Sequence, residues 1–139
     1  MITLEDYWMG RDKDYSLALS VQTRKNALMT VEVVNQFLQA AELAGITEYY
    51  HPRTRSQVSS GWRPPAINSA TAGASPTSHH MSGLAVDLYD PAGELDKFAM
   101  SNIDLLEDLG LWLEHPSATI GWCHLQLKPP RSGRRVFYP

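Results

Sequence analysis

The longest regular pattern in the chain lies between residues 23 and 44, where Ala27, Val31, Val34, Leu38 and Ala41 recur at alternating steps of four and three. That spacing places all five on one face of a helix. Thr23 stands where an N-cap belongs and Gly45 where a left-handed C-cap belongs. This helix reads as scaffold for a core. Further along the pattern shortens. Residues 48–51 and 57–60 are extended candidates, and residues 83–89 (GLAVDLY) form a strand-like apolar run. Two short helices follow over residues 94–100 and 103–109, the second closed by Gly110, and a last strand spans residues 120–127. A helix ahead of strands mixed with short helices predicts an α+β domain, a small antiparallel sheet with flanking helices.

Between these elements, Arg63-Pro64-Pro65 opens a polar, irregular segment that reaches Ser78. A loop of that length in a compact domain is usually functional or disordered. There is no repeat and no low-complexity linker, so residues 1–139 read as one domain, expected to act as a monomer.

Composition narrows the function classes. Apolar residues make up 43% and charged residues 19%, with a formal net charge of -3. No basic stripe is available to follow phosphates, which argues against nucleic acid as a partner. Arg131, Arg134 and Arg135 read as a solvated tail. One cysteine, Cys123, excludes an internal disulfide and suits a reducing compartment. No stretch approaches the roughly 20 apolar residues of a membrane span. Residues 1–11 carry acids and no apolar run, so they are not a secretory signal, and the chain is expected in the cytoplasm as synthesised.

Candidate chemistry concentrates in Ser78-His79-His80-Met81-Ser82-Gly83-Leu84-Ala85-Val86-Asp87. Zinc accepts imidazole nitrogen and carboxylate oxygen at about 2.0–2.2 Å, and a catalytic site needs three such ligands and one open position. Here a histidine leaves a loop, Gly83 permits a tight turn, and a strand delivers Asp87. Asp87 within an apolar run is otherwise hard to place, because a buried carboxylate needs a partner. The segment Gly121-Trp122-Cys123-His124-Leu125-Gln126-Leu127 supplies a third ligand. When extended, it sets Trp122, His124 and Gln126 on one face and Cys123, Leu125 and Leu127 on the other.

Residues 78–87 resemble the S-x-H-x-x-G-x-A-x-D signature of the zinc D-Ala-D-Ala carboxypeptidases, peptidase family M15. Ser60-Gly61-Trp62-Arg63-Pro64-Pro65-Ala66-Ile67-Asn68 resembles the block that precedes the zinc loop in that family, and Trp122-Cys123-His124 the W-x-H that ends its site. The resemblance covers residues 58–127, with the blocks in order. It implies the fold shared by these peptidases and the hedgehog signalling domain, and zinc held by His80, Asp87 and His124. It further implies Arg63 beside the substrate and stem peptides of bacterial peptidoglycan as the partner. Small members without a signal sequence are often phage or prophage endolysins, which act on the cell wall after release.

Many members carry Glu or Asp three residues before the last histidine, whereas this chain has Gly121. The general base then has to come from elsewhere. Glu114 is the first candidate, since it ends the run Gly110-Leu111-Trp112-Leu113 and leads by a short loop into the His124 strand; His115 is a weaker one. An amide such as Gln126 cannot serve as a base, but it can orient substrate or a ligand. Ser78 and Gln126 are further substrate-contact candidates, and Asn68 reads chiefly as a backbone turn or cap. If no base exists, the alternative is a non-catalytic zinc-containing binding or virion-associated domain of the same fold.

Overall fold

The computed structural model describes residues 1–139. Two short helices come first, α1 (Leu4–Trp8) and α2 (Arg11–Asp14), then the long α3 (Val21–Leu43). After β1 (Val58–Ser60) and α4 (Pro65–Ala70) comes β2 (Ala85–Asp90), followed by α5 (Glu94–Ser101) and α6 (Ile103–Leu109). Three strands complete the chain: β3 (Trp112–Glu114), β4 (Gly121–Gln126) and β5 (Val136–Phe137).

The periodic face of α3 is buried at all five expected positions. Its N-cap is Ser20 rather than Thr23: the Ser20 hydroxyl accepts from the backbone N–H of Thr23, and Thr23 lies inside the first turn. At the other end Gly45 adopts φ +82°. The N–H groups of Gly45 and Ile46 there bond back to the carbonyls of Glu42 and Ala41. That is a Schellman closure, which needs the left-handed conformation glycine adopts without strain.

The sheet order is β1-β2-β4-β3-β5. The first four strands pair antiparallel, but β5 runs parallel to β3. The expected antiparallel sheet therefore gains one parallel edge. Val86 and Leu88 of β2, Leu113 of β3, and Cys123 and Leu125 of β4 join the core cluster that holds α3, leaving their strand neighbours on the opposite face. Residues 48–51, expected extended, form no strand, and α4 interrupts the segment expected to be irregular, with Pro65 at its first position. The C-terminal tail is only partly solvated. Arg135 donates to the carbonyl of Leu111 at 3.0 Å and lies over the Trp112 ring at 4.2 Å, while Phe137 is buried. No helix is long and apolar enough to cross a membrane.

Candidate metal centre

The register of β2 and β4 builds the site. Asp87 pairs directly with His124, and Ala85 with Gln126. β3 joins β4 with Trp112 opposite Gln126 and Leu113 opposite Leu125, so one further step sets Glu114 beside His124. Directly paired residues share a sheet face. Asp87, His124 and Glu114 thus form one row across three strands.

His80 enters this row from the loop before β2. Its Nδ1 lies 2.8 Å from the carbonyl oxygen of Gly61, so Nδ1 carries the proton and donates there. The Nε2 atom then points its lone pair at the row, 3.3 Å from Oδ1 of Asp87, buried and without a hydrogen-bond partner. Several contacts hold the loop in place. Trp62 Nε1 donates to the Met81 carbonyl, the Thr30 hydroxyl to that of Gly83, and the Asn26 amide to that of Ser82. Gly83 has φ +77°, and a Cβ there would come within 2.8 Å of the Thr23 carbonyl oxygen. The turn into β2 is therefore closed to other residues at two levels, conformation and space.

On His124, Nδ1 lies 2.7 Å from Asp87 Oδ1 and 3.8 Å from Glu114 Oε2, while Nε2 meets Gln126 Oε1 at 3.0 Å. One ligand-type atom from each of His80, Asp87 and His124 falls within 4.8 Å of the others. Two imidazoles and a carboxylate are a donor set zinc accepts, and the orphaned Nε2 of His80 is a buried polar atom that a cation would satisfy. The residues fit the metal.

Electrostatics agree. Burial lowers the pKa of His80, and Asp87 offsets this only in part, so the ring favours its neutral, ligating form. Burial raises the pKa of Asp87, but its close contacts with the His80 and His124 rings outweigh it and hold the carboxyl far below its usual range. Burial also opposes charge on His124; its bond to Asp87 and the nearby acids reverse that and raise its pKa. Glu114 is half-buried, and desolvation raises its pKa, with the charge of His124 pulling the other way.

Arg63 is buried, and its Nε has no partner. Its Nη2 reaches the Ser78 hydroxyl at 3.4 Å, and no carboxylate lies within ion-pair distance. Burial lowers its pKa against the pull of Asp87, Tyr7 and Glu114. An unpaired guanidinium facing the row is placed to meet an anion. Ser78 also accepts from the His80 N–H, and Asn68 donates to the Ser75 carbonyl, so these two shape the loop. Gln126 is buried and spends its amide on His124 and on the Lys128 carbonyl. His79 lies outside the ligand group, Cys123 is buried on the other face, and His115 is occupied by Ser117 and stacked on Tyr138.

Two supporting contacts escape a reading of motifs. Gly61 is the acceptor for His80, and its α-carbon presses against the Tyr7 carbonyl so closely that a side chain there would collide with it. The Tyr7 hydroxyl in turn donates to the Ala85 carbonyl at 2.9 Å. The glycine in the Ser60–Trp62 block signals close backbone approach; nothing local signals Tyr7. A cleft of about 450 Å³ lies elsewhere, on the α5 side of the sheet near Asp96, Lys97 and Thr119. None of the candidate site residues lines it.

A family model described as Peptidase M15 matches residues 15–109, well over half of the chain. That span includes Arg63, Ser78, His80 and Asp87. Glu114, His124 and Gln126 lie beyond it, and it is the sheet register that brings them to the same place. No curated protein and no solved structure matches the chain. On the strength of the family match, the chain belongs to the peptidase M15 family.

Proposed function

We propose that the chain is a zinc-dependent peptidase acting on the peptide bonds of bacterial peptidoglycan. The observation that carries this reading is the convergence of His80, Asp87 and His124, with Glu114 next in the same row. Peptidoglycan as substrate, as carboxypeptidase or endopeptidase, rests on the family, as does action on the wall as a phage or prophage lysin.

His80, Asp87 and His124 would hold the metal. Bound zinc supplies Lewis-acid polarisation of a carbonyl and brings the pKa of a bound water down to about 7. Glu114 would accept a proton from the attacking water and pass it to the leaving nitrogen, a role suited to a half-buried carboxyl with a raised pKa. Arg63 would hold a substrate carboxylate or the oxyanion that forms at the scissile carbonyl. Gly121, where many relatives carry an acid, has φ +97°, a conformation that acidic side chains rarely adopt. Glu114 on β3, 3.8 Å from His124 Nδ1, would supply the acid instead.

The second reading, a zinc-containing domain that binds without cutting, draws on the same Gly121. Digestion of purified sacculi by the zinc-loaded protein, with mass spectrometry of the fragments, separates the two. New amino and carboxyl termini at one type of peptide bond are expected. No cleavage of any murein substrate would support the binder, and activity confined to soluble dipeptides would replace the wall with a smaller substrate.

A further inference from the structure

We infer that Gln126 is a positioning residue that selects Nδ1 of His124 as the metal donor. This rests on the reading of His80, Asp87 and His124 as ligands. The orientation of the Gln126 amide is set from outside the site. Its Nε2 donates to the Lys128 carbonyl at 2.7 Å, which turns Oε1 toward His124. A carbonyl-type oxygen can only accept, so the His124 Nε2 facing it at 3.0 Å carries a proton. Nδ1 faces the Asp87 carboxylate at 2.7 Å and donates to it in the metal-free ring; with Nε2 kept as an N–H by Gln126, Nδ1 is the nitrogen that would give up its proton and offer its lone pair to a metal.

The neighbouring row shields this contact. Gln126 pairs with Ala85 on one side and Trp112 on the other. Arg135 covers the Trp112 ring, and Gln126 itself is only 5% exposed. A hydrogen bond kept from water is stronger and holds its geometry better than an exposed one. His80 is set the opposite way round, with Nδ1 bonded to Gly61 and Nε2 free. The two histidines thus present different nitrogens to one point. A neutral acceptor behind a ligating histidine fixes its tautomer and ring orientation, and losing such a partner typically weakens metal binding by about 10–100-fold.

The test is a zinc competition titration against a chromophoric chelator, using the full chain as wild type, Gln126→Leu and Gln126→Glu. Gln126→Leu, which cannot accept, should bind zinc about 10–100-fold more weakly. Gln126→Glu, which still accepts, should recover most of the loss, an outcome that a merely structural role would not produce. Nitrogen-15 NMR of the zinc-loaded wild type should show His124 protonated at Nε2 and coordinated through Nδ1, and needs no variant to fold. Wild-type affinity in Gln126→Leu, or coordination through His124 Nε2, would overturn the inference and leave the metal site standing. A wild type that takes up no zinc would instead remove the metal reading itself.

Discussion

Nδ1 of His124 lies 2.7 Å from Oδ1 of Asp87, and the two residues are direct partners across β2 and β4. Because side chains alternate along a strand, a shift of one residue in this register would turn His124 into the core and bring Cys123 to the metal-side face. The same ladder that buries Leu88 and Cys123 therefore assembles the candidate ligand pair. Fold and site are one arrangement.

Glu114→Gln isolates the proposed base. The amide keeps the size of the side chain but cannot take a proton. Hydrolysis should fall about 10²–10⁴-fold while zinc affinity stays within a few-fold of wild type. Steady-state kinetics beside a metal titration would show it, and unchanged turnover would move the base elsewhere.

Arg63→Lys keeps the charge and loses the planar fork. A lysine cannot engage an oxyanion or carboxylate through two parallel bonds. A fall of about 10²-fold in kcat/KM is expected, with zinc content unchanged. Equal kcat/KM in the two proteins would show that Arg63 only pins its loop to Ser78.

Gly61→Ala probes the link between α1 and the site. Its new Cβ would sit on the Tyr7 carbonyl, and the His80 acceptor would have to move with the backbone. Thermal or denaturant unfolding should register a loss of about 3 kcal/mol or more, together with weaker zinc binding. Wild-type stability would mean that α1 can retreat freely.

Asp96 gives a pH prediction away from the metal. Burial, reinforced by Asp90, pushes its pKa up to about 6 against the bonds from Cys123 and Thr119. A carboxyl whose pKa is higher folded than unfolded costs stability when it ionises. The cost is absent below about pH 4, grows as pH rises through about 6, and is complete above that. Asp96→Asn should therefore stabilise the protein at pH 8 by about 1–2 kcal/mol, allowing for solvent screening, and by little at pH 4. An equal gain at both pH values would assign the effect to packing.

Much of this was legible in the sequence where the signal is periodic or carried by a motif. The face of α3, the bounds of α6 and the alternation of β4 follow from residue spacing, and the His80–Asp87 segment from its donor types. What escaped reading is short or distant. α1 occupies five residues and β5 two, too few for a period to show, although Thr3 and Asp6 form a capping box that marks the start of α1. The acceptors behind the two histidines are the Gly61 carbonyl and a Gln126 amide turned by the Lys128 carbonyl, and only tertiary pairing reveals a backbone carbonyl's role. The parallel β5 edge has the same origin: Arg135 and Phe137 are held by β3, not by their neighbours in sequence.

Zinc titration of the metal-free wild type beside Asp87→Asn tests the central claim most directly. The wild type should take up a single zinc ion tightly. Asp87→Asn should bind it far more weakly, beyond the roughly 10–100-fold typical of losing an outer-shell partner. A wild type that binds no zinc, or an Asp87→Asn protein that binds it equally well, would contradict the account.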